Sequence, residues 1–378
     1  MKFVNIQTDL ICLCKNYLKV LQLKTIRLFQ FKNYKAHTFV FKAPIIGITG
    51  SNGIGKTNLL DAIYYLGFTK SYFHSKEKLN LKEGTDAFRL DGSFLKDDKK
   101  LKVHSVFKNG KKEVGQNGKI YSRFSQHIGL FPMVFIAPDD NILVSGGSGV
   151  RRKFLDVLLS QIDANYLKHL IDYQKVKSQR DKHLKNANNH IPDGRLLDIF
   201  DEQLVRHGEP IFKRRFEFIK NFENKIQHYY HYLSGGNEAV STVYQSDLGL
   251  QPFDEILRNN RSKDCVLQRT SQGIHRDDLI FQMNGQPLKE IGSQGQKKSF
   301  VFGLKLAQFE VLKEYKKSAP ILLLDDIFEK LDTERIKRLI KLISGEGFGQ
   351  VFITDTEKGR LKEAFGNETG HLQLIDLK

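Results

Sequence analysis

Between Leu21 and Pro138 the chain alternates apolar and polar residues in short runs. Lys24-Thr25-Ile26-Arg27-Leu28 and His37-Thr38-Phe39-Val40-Phe41 each read as a strand with one buried face. Ile45-Ile46-Gly47-Ile48-Thr49 has no polar face and predicts a strand covered on both sides. Further strands are expected at Phe88–Phe94, Lys102–Lys108 and Met133–Ile136.

From Arg151 the period lengthens. Leu155, Leu158, Ile162, Tyr166, Leu170 and Tyr173 recur at steps of three and four, and a second stripe runs through Phe212, Phe216, Ile219, Phe222, Ile226, Tyr229 and Leu233. The Asn-rich stretch from Asn186 to Gly194 reads as the loop between them, and Gly235-Gly236 ends the second stripe. Two antiparallel helical arms follow from this pattern. After Pro252 strand and helix alternate again, with Ile321–Leu324 and Gln350–Thr354 as buried parallel strands. The expected organisation is an N-terminal extension over residues 1–20, a first α/β segment over 21–150, an inserted helical lobe over 151–236, and the remainder of the α/β unit over 237–378. No internal repeat is visible.

Composition narrows the class. The chain has 378 residues, 40% hydrophobic and 27% charged, as globular proteins do, and its length suits about two to three structural units. Its 60 Lys and Arg against 43 Asp and Glu leave a net charge of +17, which suits a polyanionic partner, nucleic acid or an acidic membrane surface. Three cysteines, Cys12, Cys14 and Cys265, cannot build a disulfide framework and point to a reducing compartment. No run of 18 apolar residues offers a membrane span, and residues 1–20 make a poor signal peptide, so the cytoplasm is the expected location.

The chemistry begins at Gly50-Ser51-Asn52-Gly53-Ile54-Gly55-Lys56-Thr57, which leaves a buried strand and opens a helix. Glycines at this spacing let backbone N–H groups curl around phosphate oxygens while the positive helix end faces the same anion. Lys56 is then expected to reach the β- and γ-phosphates of ATP, and the Thr57 hydroxyl to bind Mg²⁺. Ile321-Leu322-Leu323-Leu324-Asp325-Asp326 delivers two carboxylates to the end of a buried strand, where ligands gather in open α/β sheets. Asp325 is expected to hold Mg²⁺ and Asp326 to orient or deprotonate the attacking water, which makes Asp326 and Lys56 the catalytic candidates. Ser293, with Gln296 three residues on, forms a capping box that opens a third element, a helix through Phe300–Leu312 whose tip can receive an anion.

Phosphate loop, inserted helical lobe, Ser-x-Gly-Gln helix and Leu-Leu-Leu-Asp-Asp strand, in that order, resemble the ABC-type (P-loop NTPase) ATPase heads of the structural-maintenance-of-chromosomes (SMC) group. The fold implied is an α/β head with mixed sheet plus an inserted helical lobe bearing an antiparallel helical hairpin. Finer strings bring the chain close to the RecF family of bacterial recombination proteins. They are Phe31-Lys32-Asn33-Tyr34, Ala137-Pro138-Asp139-Asp140 leading to Arg151-Arg152-Lys153-Phe154-Leu155-Asp156, and Gly273-Ile274-His275-Arg276-Asp277-Asp278-Leu279. They continue through Gly292-Ser293-Gln294-Gly295-Gln296, Leu324-Asp325-Asp326-Ile327-Phe328-Glu329-Lys330-Leu331-Asp332 and Gln350-Val351-Phe352-Ile353-Thr354-Asp355-Thr356.

The resemblance implies a homodimer that sandwiches two ATP molecules, with Ser293 and Gly295 of one copy on the γ-phosphate held by the other, and Asp332 at the seam. It implies binding to DNA without sequence preference, on a duplex or a junction with single strand. It further implies recombinase loading at gapped DNA with the partners RecO and RecR, support of replication restart and SOS induction, and no membrane. Three departures stand out: no switch histidine at Thr354-Asp355, no glutamine near Ala137–Asp140, and Asp326 where transporter ATPases carry Glu. The last implies slow hydrolysis, and the RecF-like reading adds stimulation of that hydrolysis by DNA. Candidate DNA contacts are Arg151-Arg152-Lys153, Lys99-Lys100 with Lys102, Lys111-Lys112 and Lys213-Arg214-Arg215, with the Arg151-Arg152 pair assigned instead to structural pairing with Asp139 or Asp140. His275–Asp278 is expected to form a polar junction beneath the Ser293 helix. The competing readings are an ATPase subunit of a membrane transporter and a nucleotide-sensing scaffold. Against the transporter stand the long interval between Lys56 and Ser293 and the lack of a Leu-Ser-Gly-Gly-Gln signature.

Overall fold

In the computed structural model the described residues are 21–186, 194–236, 238–329, 331–345, 347–366 and 371–378. The extension over residues 1–20 and most of the Asn186–Gly194 loop lie outside them.

Two sheets face each other across one helix. The first is antiparallel and six-stranded, in the order Tyr34–Val40, Leu21–Phe31, Ala87–Lys96, Lys99–Lys108, Lys111–Gln116, Lys119–Ile120. Its long strand Leu21–Phe31 buries Leu21, Leu23, Ile26 and Leu28, so the two-residue alternation slips by one after Leu23. A register shift between Leu23 and Thr25 accounts for it, since one extra residue returns the next apolar pair to the same face.

The second sheet is parallel, in the order Leu372–Asp376, Ile45–Thr49, Val351–Asp355, Ile321–Leu324, Met133–Ile136. Its three central strands are buried throughout, as their unbroken apolar sequence requires. Helix Lys56–Phe68 fills the gap between the sheets, with Leu59–Phe68 all buried. Leu60 contributes to the shared core at 0% exposure, and truncating it to Ala costs about 2–5 kcal/mol. Gln350 ties the layers together: its buried amide accepts from Leu23 N–H at 2.6 Å and donates to Leu23 C=O at 2.9 Å.

The other face of the parallel sheet carries a helical lobe. Helix Ser148–Ile162 is followed by Ala164–Asn186 and the long Gly194–Ser234. The first apolar stripe is therefore two helices, broken at Asp163, whose backbone is extended and whose carboxylate caps the next turn through Asn165 and Tyr166 N–H. Ser234 is the last helical residue, and Gly235 takes the left-handed conformation (φ 64°) that closes such helices. A three-stranded sheet, Gln286–Pro287, Asp278–Met283 and Val240–Gln245, returns the chain to helix Gln294–Lys316, which lies between the lobe and the parallel sheet. Among the described residues no helix is long and apolar enough to cross a membrane.

Candidate functional site

Three strands of the parallel sheet end side by side, and their carboxyl ends carry the chemistry. Strand Ile45–Thr49 runs into the loop Gly50–Thr57, of which Ser51, Asn52 and Gly53 are exposed. Helix Lys56–Phe68 starts with no side-chain cap, so its first backbone N–H groups stay open to a ligand. Lys56 is only 4% exposed, and its ammonium donates to Gly50 C=O at 2.8 Å and Ser51 C=O at 3.2 Å. The amine thus lies curled within the loop it is expected to serve.

The loop is braced from outside by two residues whose role the sequence patterns do not reveal. Asn33 donates to Ile54 C=O at 2.8 Å and accepts from the Asn58 amide at 2.8 Å, while the Tyr34 hydroxyl donates to Gly55 C=O at 3.0 Å. Gly55 has φ 118°, and a methyl group there would sit 2.5 Å from the Asn33 amide nitrogen. Glycine is needed both for the backbone and for the approach. Beside them Lys32 pairs with the buried Asp61 at 2.5 Å.

Strand Ile321–Leu324 delivers Asp325 against the same helix start. The Thr57 hydroxyl donates to Asp325 Oδ2 at 2.9 Å, and the Thr354 hydroxyl donates to Asp325 Oδ1 at 2.8 Å. Burial pushes the Asp325 carboxyl up to about 6; the Thr354 hydrogen bond opposes this, the Asp326 charge adds to it, and Thr57 and Lys56 pull it down. A carboxylate and a hydroxyl oxygen so disposed suit a hard cation that keeps waters and phosphate oxygens as its other ligands. No cluster of three His, Cys, Asp or Glu forms a self-sufficient metal cage among the described residues. Asp326 takes a left-handed backbone (φ 46°) and donates its N–H to Thr354 Oγ1 at 2.8 Å. Thr354 therefore touches both acids.

Ser293 caps helix Gln294–Lys316 as the pattern requires: its hydroxyl accepts from Gln296 N–H at 3.2 Å, and the Gln296 side chain accepts from Ser293 N–H at 2.8 Å. The Gln296 amide also donates to Glu238 at 2.9 Å. Ser293 and Gln294 are exposed, so the tip faces outward. Arg335 stands beside it, 3.0 Å from where a methyl group on Gly295 would project, and is held there by Asp332 at 2.7 Å. Asp332 also caps helix Thr333–Ile343 through Arg335 N–H.

The basic clusters behave differently from one another. Lys99, Lys100 and Lys102 are exposed, as are Lys111, Lys153 and Lys213. Arg215, counted in a surface cluster, is instead 1% exposed and paired with Asp156 at 2.7 Å and Asp277 at 2.8 Å. An isolated buried guanidinium is too costly, and these two acids, with Tyr166, supply its partners. Lys112 is committed to Glu77 at 2.5 Å and to Thr69 C=O. Arg151 and Arg152 are structural, but not through Asp139 or Asp140. Arg151 pairs with Asp278 at 2.8 Å and Arg152 donates to Asp277 C=O at 2.5 Å, because helix Ser148–Ile162 lies against strand Asp278–Met283. His275–Asp278 accordingly forms its junction beneath the helical lobe, not beneath the Ser293 helix. His275 meets Tyr173, Asp277 meets Arg215 and Tyr244, and Asp278 meets Arg151.

A phosphate loop and acidic strand on a parallel sheet, an antiparallel sheet behind them, and an outward-facing capped helix beyond a helical lobe define an ABC-type ATPase head of the SMC group. Residues 22–373 match the RecF/RecN/SMC N terminal domain, and the chain belongs to that family, on its RecF branch. It is 44% identical over 342 residues to the DNA replication and repair protein RecF of Flavobacterium johnsoniae, covering 90% of this chain and 95% of that protein. The RecF of Phocaeicola vulgatus is 40% identical, over 90% of this chain and 92% of its own length. Among solved structures, RecF-ATP, a recombination mediator protein in the RecFOR pathway, superposes with a TM-score of 0.85 at 32% identity, covering 91% of this chain and 94% of that one. The Smc head domain of Pyrococcus furiosus shares the fold, with a TM-score of 0.52 at 16% identity over 95% of this chain and 94% of that one.

Proposed function

We propose that the chain is an ATP-gated clamp on DNA, acting in recombinational repair. Gly50–Thr57 cradle the triphosphate, Thr57 and Asp325 hold Mg²⁺, and Asp326 orients the attacking water. Bound Mg²⁺ supplies charge neutralisation at the β- and γ-oxygens. Ser293 and Gly295 present a helix tip to the γ-phosphate held by a second copy, so ATP joins two heads and hydrolysis releases them. The observation that carries this reading is the meeting of Thr57 and Asp325 at 2.9 Å beside an open helix start, while the Ser293 tip faces solvent. An open loop and an exposed capped tip are the two halves such a shared site would need.

The net charge of +17 suits phosphate-backbone binding without base readout. With relatives named for DNA replication and repair and for the RecFOR pathway, the reading extends to gapped or junction DNA and to recombinase loading with RecO and RecR. Replication restart, SOS induction, a cytoplasmic location and slow DNA-stimulated hydrolysis belong to the same reading. The domain division at residues 21, 151 and 237 goes with it, the lobe 151–236 packing against the helix that carries the tip, which belongs to the 237–378 segment.

Steady-state ATP turnover, measured with and without a gapped duplex, tests it. Slow turnover raised by DNA and lowered about 100-fold in Asp326→Asn supports the clamp. Parent and variant hydrolysing ATP at the same rate would remove Asp326 from the chemistry. No turnover in either would leave a nucleotide-sensing scaffold.

A further inference from the structure

Helix Gln294–Lys316 is anchored to the nucleotide-binding layer by a buried polar strut. Lys305 lies about 18 Å along the helix axis from Ser293. Its side chain is 5% exposed, and its ammonium meets the Tyr72 hydroxyl at 2.8 Å, Phe135 C=O at 2.9 Å and the Asp140 carboxylate at 3.2 Å. Those partners use all three of its donors. Tyr72 also donates to Asp140, which closes a triangle, and the Tyr72 ring stacks on Phe135 at 4.5 Å.

The triangle is joined to the nucleotide site by backbone. Asp140 accepts from Ala137 N–H at 2.8 Å, and the neighbouring Ile136 C=O accepts from Asp325 N–H at 2.9 Å. One side of the strut is therefore two short steps from the proposed metal ligand, and the other is part of the helix bearing the tip. The packing around it is incomplete: a cavity of about 540 Å³ opens beside Lys305 and Asp140, between Phe135 and Phe154. Where apolar side chains do not fill a seam, its polar tie decides how the two sides sit. A buried ion pair adds little net stability over an apolar pair of the same size, so its use here is in specifying an arrangement.

We propose that Lys305 and Asp140 are positioning residues that set the Ser293 tip in register with the occupied nucleotide site, so that a second copy docks only when the phosphate loop is filled. This deepens the clamp reading and rests on it.

The test compares the parent with Lys305→Met, Asp140→Asn and Tyr72→Phe, each checked for a parent-like melting transition. Three quantities are read: affinity for a fluorescent methylanthraniloyl-ATP, ATP-driven association by light scattering, and kcat with KM. For Lys305→Met and Asp140→Asn the expected result is nucleotide affinity and KM within twofold, with association at least tenfold weaker and kcat lowered in proportion. Tyr72→Phe keeps the ion pair and weakens association about threefold, which keeps the proposal testable should the charge variants fail to fold. Folded variants that associate like the parent overturn the strut while leaving the clamp intact. Nucleotide affinity falling in step with association also overturns it, because the pair would then serve the phosphate loop alone. A parent that stays monomeric with ATP overturns the clamp and the strut together.

Discussion

Arg215 Nη1 donates to Asp277 Oδ2 at 2.8 Å, with both side chains 1% exposed, although one lies in the middle of a long helix and the other just before a strand. Tyr244 and Asp156 complete the cluster, so the helical lobe and the three-stranded sheet share one buried charge network. Removing one member leaves an uncompensated charge. Arg215→Ala is expected to cost about 3–5 kcal/mol in urea unfolding. The same substitution at exposed Lys213 is expected to stay within about 0.5 kcal/mol.

Gly55→Ala tests the brace on the phosphate loop. Alanine there must adopt φ 118° and push Asn33 from its hydrogen bond to Ile54 C=O. Nucleotide affinity is expected to fall at least tenfold, read by fluorescence titration, while Asn33→Ala falls by less because it removes the brace without straining the loop. Equal affinity in Gly55→Ala and the parent would contradict this.

His275 gives a pH dependence. Its Nε2 lies 3.1 Å from Thr270 C=O and its Nδ1 2.8 Å from the Tyr173 hydroxyl, which fits a neutral ring protonated at Nε2. Burial, with Lys177 nearby, pushes it down from 6.5 to about 3. The folded value lies below the unfolded one, so its contribution to stability is complete above 6.5 and is lost as pH falls toward 3. Between pH 7.5 and pH 5 the parent is expected to lose up to about 2 kcal/mol more than His275→Gln, measured by urea midpoints. Parallel losses in the two proteins would contradict it.

The exposed Lys99, Lys100 and Lys102 are the strongest remaining DNA-contact candidates. Replacing all three by Ala is expected to weaken duplex binding across sequences. It is also expected to reduce the slope of log affinity against log salt by about 0.9 for each phosphate that is no longer neutralised. An unchanged slope would move the DNA path elsewhere on the surface.

The local parts of the site are legible in the sequence. A phosphate loop, an acidic strand end and a capping box are each written in consecutive residues, because backbone geometry over a few positions dictates them. Side-chain partners are not. Arg215 sits in a run of basic residues indistinguishable from an exposed one until the fold brings Asp156 and Asp277 to it. For Arg151 the sequence suggests acids near it along the chain, whereas the packing of its helix on a distant strand delivers Asp278. Asn33 and Lys305 carry no spacing signal, since each acts across more than 20 residues on a backbone carbonyl that any sequence supplies. The break at Asp163 is hidden because its two flanking helices keep their apolar stripes in register across it.

The central claim is that ATP joins two copies through Lys56 of one and Ser293 of the other. Sedimentation velocity with ADP, with ATP, and with ATP plus duplex DNA, run on the parent, Lys56→Met and Ser293→Arg, tests it most directly. The parent is expected to double in mass with ATP and not with ADP, and both variants to remain single copies at the same concentration. The same mass for all three proteins in ATP would contradict the account.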